Sequence, residues 1–240
     1  WRGPQATGEA QGNPPVEWSE IKNIQWKMSL PGKGHSTPIV WQNHIFLTAA
    51  VPVGDAMPPR RSGRPGAHDN LAVTHQHQFV VFCVDRKNGN LLWKQVMHEE
   101  VPLEGGHESA SLASHSPVTD GKHIFASFGS AGLYCLDFNG KLIWKKNLGQ
   151  MHSKHGHGEG SSPVLFHDKL FVNWDHEEQS FLVALDSQSG KELWRVQRSE
   201  VTSWATTLIV EHPNQPQLVV CGSNRVRGYE LATGKVLWEC

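Results

Sequence analysis

Apolar and polar residues alternate along this chain in short runs, and the runs meet at turns that carry glycine. Four segments line up: "VVFCVDRKNGNLLWK", "GLYCLDFNGKLIWK", "FLVALDSQSGKELWR" and "VRGYELATGKVLWE". Each reads as a strand, a tight turn on Asn-Gly, Ser-Gly or Thr-Gly, and a second strand bearing Trp93, Trp144, Trp194 or Trp238. Period-two alternation across a glycine that accepts a positive φ predicts a β-hairpin. Upstream of each hairpin lies another matched unit: "STPIVWQNHIFLTAA", "HSPVTDGKHIFASFG", "SSPVLFHDKLFVNWD" and "ATTLIVEHPNQPQLVVCG". Each gives Ser or Thr, usually Pro, then an apolar strand, a polar turn and another strand. One unit therefore predicts four short strands, A to D, recurring at roughly 45–50 residues, the period of a β-propeller blade.

The expected fold is all-β, a propeller of four-stranded antiparallel blades within a single domain, 1–240. Blade 1 is placed at 36–96, blade 2 at 114–147, blade 3 at 161–196 and blade 4 at 204–240. "NIQWKMSL" puts Trp26 in the same position ahead of blade 1 and predicts a strand over 23–30 with no A, B and C strands of its own. About four blades plus an orphan strand make part of a seven- or eight-bladed ring, the missing blades being expected from the rest of the chain or from another chain. Within blade 1, the segment 51–77 is rich in Pro, Gly, Arg and His and reads as an insertion, with Arg60, Arg61 and Arg64 as candidates for an acidic partner. "NWDHEEQ", from Asn173 to Gln179, reads as a solvated acidic loop.

The tryptophans have a mechanical reading. A blade cannot bury both of its faces alone, and an indole on strand D can fill the gap to the next blade. Burying ~200 Å² per indole at ~25 cal/mol/Å² gives up to ~5 kcal/mol each. Trp26, Trp93, Trp144, Trp194 and Trp238 are therefore expected to be structural.

"LDSQSGKELW" and its relatives resemble the tryptophan-docking repeat of the pyrroloquinoline-quinone (PQQ)-like β-propeller family, which includes the quinoprotein alcohol dehydrogenases and BamB-type envelope scaffolds. The resemblance recurs four times. The opening "WRGPQATG...EWSEIKNIQWKMSLPGKGHSTP" is similar to the start of exported BamB-like PQQ-repeat proteins. These likenesses imply an exported protein of the periplasm or cell envelope, its signal segment not in this sequence; the first residue, Trp1, itself says nothing about export.

A net charge of −1 argues against a nucleic-acid binder, which needs a basic face to neutralise phosphates. No apolar run approaches the roughly 18 residues of a spanning helix. The four cysteines contain no C-x-x-C and no adjacent pair, which excludes a zinc ribbon or a thioredoxin-like motif. Cys83 and Cys135, in the matching contexts "FCVD" and "YCLD", read as small core residues.

In a propeller, strand A lines the channel and the segment leading into it lies at the channel mouth. "MHSKHGHGEGSSP" is the lead-in of blade 3; the corresponding positions elsewhere bring His35 in blade 1, His115 with His107 in blade 2, and Trp204 in blade 4. Together with His155, His157 and Glu159 these are the candidate ligand-binding residues. An extended chain would put His155, His157 and Glu159 on one face, about 7 Å from one to the next. Imidazole and carboxylate suit zinc, copper, nickel or iron, so His115, His155, His157 and Glu159 are a candidate set for a divalent transition metal. The alternative is a glycine-softened loop whose histidines bond to backbone or water.

Three functions compete. A quinoprotein dehydrogenase, as the resemblance describes it, needs a hard cation on oxygen ligands, a catalytic Asp and a Trp platform; no such set is evident, so PQQ is not expected. A noncatalytic propeller offering a rigid face to a protein partner needs only blades and loops, and is the favoured reading. A metal- or small-ligand-binding propeller using the His/Glu cluster is its alternative.

Overall fold

The hairpins and their upstream units fold into four sheets, each a meander of four antiparallel strands in sequence order. The computed structural model describes residues 3, 8–9, 12–211 and 215–240; most of the "WRGPQATG" opening, and residues 212–214, lie outside them. Blade 1 comprises β1 (Ile39–Trp41), β2 (His44–Val53), β3 (Gln76–Asp85) and β4 (Leu91–Glu100). Blade 2 comprises β5 (Val118–Thr119), β6 (His123–Ser127), β7 (Leu133–Asp137) and β8 (Leu142–Lys146). Blade 3 comprises β9 (Val164–Phe166), β10 (Lys169–Trp174), β11 (Phe181–Asp186) and β12 (Glu192–Gln197). Blade 4 comprises β13 (Leu208–Val210), β14 (Gln217–Cys221), β15 (Val226–Glu230) and β16 (Val236–Glu239).

The core lies between blades rather than within them, because a sheet one strand-layer thick buries side chains only against its neighbour. Phe125, Leu133 and Trp144 of blade 2 meet Leu170, Val183 and Leu185 of blade 3, and Phe171 and Leu182 of blade 3 meet Leu218 and Tyr229 of blade 4. Phe79 and Val81 of blade 1 pack likewise on Ala126, Phe128 and Tyr134 of blade 2.

Each seam is sewn at its rim by a tryptophan. The indole N–H of Trp93 donates to the Phe138 carbonyl at 2.9 Å, that of Trp144 to Ser187 at 2.9 Å, and that of Trp194 to Leu231 at 3.1 Å. In every case the acceptor lies in the third-to-fourth-strand turn of the following blade, and the ring covers that turn's glycine. A Cβ on Gly140, Gly190 or Gly234 would lie 3.0, 2.8 or 2.6 Å from the indole, and all three glycines have φ between 68° and 82°. Glycine is thus required twice over, by the left-handed backbone and by the ring above it. Opposite each tryptophan, strand three places a small residue, Cys83, Cys135, Ala184 or Gly228. Burial pushes the thiols of Cys83 and Cys135 up to about 12, so they sit in the core as neutral, inert groups.

The Ser/Thr that opens each unit also has a structural reason. The backbone N–H of Thr37 donates to Ser116 Oγ (2.9 Å), that of Ser116 to Ser162 Oγ (2.9 Å) and that of Ser162 to Thr206 Oγ1 (3.1 Å). The hydroxyls form a relay from blade to blade and satisfy amides, buried at Ser116 and Ser162, that no ladder reaches.

Three expectations need correction. Residues 23–30 form no strand. The backbone there has no ladder to join; it is held on the third-to-fourth-strand turn of blade 1 by the Trp26 ring, which donates to the Arg86 carbonyl at 2.9 Å and covers Gly89, and by Gln25 Nε2, which donates to the Lys87 carbonyl at 2.8 Å. The insertion is shorter than 51–77, since β2 and β3 extend into it as a ladder that pairs Val53 with Gln76, leaving 54–75 as the loop. And "NWDHEEQ" is not a solvated loop at its start: Asn173 to His176 are buried, because Asp175 accepts two bonds from Arg198, at 2.7 and 3.0 Å.

Candidate functional site

Three loops from consecutive blades meet on one face of the arc: the insertion 54–75, the segment 101–117 into blade 2, and the segment 151–163 into blade 3. Within the insertion Arg60 and Val73 pair in both directions, and further backbone groups of these segments, which join no long ladder, pair across loops. Leu71 N–H donates to Gly106 O (3.0 Å), Glu108 N–H to Asp69 O (2.8 Å) and His107 N–H to His157 O (3.1 Å). Asn70 Nδ2 donates to the carbonyls of His155 (2.8 Å) and Gly156 (3.1 Å). Glu104, nearly buried, accepts from Arg64 Nε (3.1 Å) and from Ser153 Oγ (3.0 Å), tying all three loops at one carboxylate. Beside it lies a recess of about 370 Å³ walled by Arg60, Arg61, Arg64, Leu103, Glu104 and His152.

The lead-in of blade 3 is not extended. A 3₁₀ turn spans Lys154–Gly156, His155 has φ 57°, and Gly156 and Gly158 also have positive φ. This winding breaks the alternation on which a shared face for His155, His157 and Glu159 depended. The His155 ring turns outward onto the insertion, its Nδ1 3.0 Å from the Pro65 carbonyl. Glu159 turns the other way: its carboxylate accepts from the Ser130 N–H (2.7 Å) and hydroxyl (2.5 Å). Desolvation raises its pKa to about 7, against the pull of the Ser130 bonds. His115 is buried on the same side, its Nδ1 without a partner, and desolvation lowers it to about 4. Glu159 and His115 both close on Gly129, where a Cβ would lie 1.5 Å from the carboxylate and 3.2 Å from the imidazole.

The expected metal set of His115, His155, His157 and Glu159 therefore does not come together. Among the described residues, the ligand atoms that converge belong to His68, His107 and His157, within 4.8 Å of one another. His107 and His157 stood among the sequence candidates; His68 did not. It lies in the insertion, whose irregular sequence carries no periodicity from which its path over the neighbouring loops could be read. His35 is exposed and stands apart, its backbone N–H bonded to the Ala113 carbonyl at 3.1 Å. Trp204 is 45% exposed and donates from its indole to the Gly158 carbonyl at 2.8 Å, bracing the blade 3 loop from blade 4.

Residues 77–240, more than half of the chain, match the family model described as outer membrane protein assembly factor BamB. The chain belongs to this BamB-like family of PQQ-repeat β-propellers. No curated protein matches it. Among solved structures it is similar to BamB from Moraxella catarrhalis, with a TM-score of 0.53 at 12% identity over 90% of this chain and 51% of that one. It is similar to the quinohemoprotein alcohol dehydrogenase of Comamonas testosteroni, with a TM-score of 0.56 at 13% identity over 88% of this chain and 35% of that one. The quinohemoprotein alcohol dehydrogenase ADHIIG of Pseudomonas putida HK5 gives 0.53 at 13% identity, over 90% and 35%. The chain thus spans about half the length of the BamB structure and about a third of the dehydrogenases; these likenesses concern the fold. No helix among the described residues is long and apolar enough to cross a membrane.

Proposed function

We propose that this chain is a noncatalytic binding module of the cell envelope, a scaffold that presents the joined loops 54–75, 101–117 and 151–163 to a protein partner. The observation that carries this reading is the crosslinking of the three loops through Glu104, Asn70 and the His107 backbone: a surface preorganised in this way loses little conformational entropy on association. The arginine-walled recess suits an acidic side chain of the partner, with Arg61 exposed at its rim. Family membership supports the envelope location and the partner class. The contacts of Trp26, Trp93, Trp144 and Trp194 are, in this reading, the family's tryptophan docking.

The residues on this face do not fit PQQ. A quinone site of that kind would need oxygen ligands for a hard cation, yet Glu104 is engaged by Arg64 and Ser153, and Glu159 by Ser130. The group that does converge is all imidazole.

Photocrosslinking tests the reading. A photoreactive residue at Arg61 is expected to crosslink one envelope protein in intact cells, whereas one at Lys191, on the exposed third-to-fourth-strand turn of blade 3, gives none. Equal crosslinking from both positions, or PQQ- and calcium-dependent dye reduction with alcohols, would overturn it.

A further inference from the structure

We propose that His68, His107 and His157 form a binding site for a borderline transition-metal cation, zinc above all, on the loop face. The three imidazoles come from three different loops, and their ring centroids lie 4.7 Å (His68 to His157), 4.9 Å (His107 to His157) and 6.2 Å (His68 to His107) apart. A zinc ion sits ~2.0–2.1 Å from each imidazole nitrogen, which sets the nitrogens ~3.4 Å apart in a tetrahedral site. From ligand atoms already within 4.8 Å, rotations of the rings supply the remaining closure.

Hydrogen bonds engage the Nδ1 side of two of the three rings. A ligating imidazole donates through its other nitrogen to an oxygen, which fixes the ring and leaves one lone pair free. His68 Nδ1 lies 3.1 Å from Asp69 Oδ2, and His107 Nδ1 lies 2.7 Å from Ser109 Oγ and accepts from the Ser109 N–H at 3.2 Å. The Nε2 of His157 is buried with no partner at all. With Nδ1 engaged in His68 and His107, Nε2 is the nitrogen each of the three rings offers to a cation. An orphaned buried nitrogen is costly unless something fills its place.

The composition of the group favours the same assignment. His155 stands a further 5.6 Å from His68 and 5.4 Å from His157, so four imidazoles share one small volume. The absence of carboxylate and thiolate from the converging group selects against calcium and magnesium, which require oxygen, and for zinc, copper or nickel. Three protein nitrogens leave one position open to water or to a ligand of the partner. The site stands independently of the partner-binding reading, since its test needs no partner.

Isothermal titration of the protein with ZnCl₂, after purification without a metal column and treatment with chelator, tests the site. The expected result is one equivalent bound, with competing MgCl₂ or CaCl₂ without effect. His107→Ala and His157→Ala should each weaken binding by more than the ~10–100-fold that loss of a supporting hydrogen bond costs. His68→Ala, on the exposed insertion, should do the same with an unchanged far-ultraviolet dichroism, so that misfolding cannot account for the loss. His35→Ala should bind like the parent. With Co²⁺ in place of zinc, visible bands of a low-coordinate site should appear and vanish in His68→Ala. Absence of saturable binding near one equivalent, or equal affinity in His68→Ala and the parent, would overturn the proposal.

Discussion

The rim of the propeller and its loop face solve the same problem, joining one blade to the next, with different chemistry. At the rim the solution is repeated: an indole, a glycine beneath it and a carbonyl that accepts its N–H, at three successive seams and again at Trp26. On the loop face, outside the Ser/Thr relay, the polar devices are single. Glu104 joins three loops once, Asp175 meets Arg198 once, and three histidines converge once. A repeated device fixes the frame, because every blade faces the same packing task. The unrepeated polar devices distinguish this chain from a generic propeller and sit where function is proposed.

The largest effects should come from the frame. Trp144, 9% exposed, fills the seam between blades 2 and 3, and Trp144→Ala should cost about 3–5 kcal/mol in chemical unfolding. Asp175→Ala leaves the buried Arg198 guanidinium uncompensated and should cost a comparable ~3–5 kcal/mol, whereas an Asp175→Leu, Arg198→Met double variant should recover most of that loss. If the single and double variants are equally unstable, the pair is not acting through its charges.

The next effect is a pH dependence on the loop face. Glu159 has its pKa raised from 4.5 to about 7 by desolvation, so its contribution to stability is fully present below about pH 4.5. As pH rises towards 7 the unfolded chain ionises freely while the folded one holds the proton, and stability falls, by at most ~3 kcal/mol at 1.36 kcal/mol per unit. His115, lowered from 6.5 to about 4, opposes this, losing stability as pH drops from 6.5 towards 4. Urea melts at pH 5 and pH 8 should therefore show the parent losing stability relative to Glu159→Gln as pH rises. A difference that does not change with pH would mean that the carboxylate is not held protonated. The smallest effect concerns Trp238, which occupies the repeat position of Trp144 but is 39% exposed and bonds within its own blade, to Gln217. Trp238→Ala should cost under ~1 kcal/mol.

The difference between rim and face also explains what could be read from sequence. Four Trp–Gly hairpins in one register make the blades legible, because each residue of the pattern performs one local task four times. Histidines 107 and 157 were found as candidates because they lie in lead-ins whose place in the repeat is known. His68 and Asn70 were not, because their position depends on how a 22-residue insertion crosses two neighbouring loops, a tertiary outcome without periodicity. Glu159 and His155 were misplaced for a local reason: glycines at 156 and 158, with His155 itself at positive φ, wind a segment that alternation alone would extend. Asp175 sat among acidic residues and looked solvated; its buried partner, Arg198, is 23 residues away.

Chemical unfolding of the His68→Ala, His107→Ala, His157→Ala triple variant, in chelator, tests most directly whether frame and loop face are separate in energy. Residues kept to hold a ligand contribute little to folding without it, so the triple variant should unfold within ~1 kcal/mol of the parent. A loss equal to that of Trp144→Ala would contradict the account and make the histidines part of the frame.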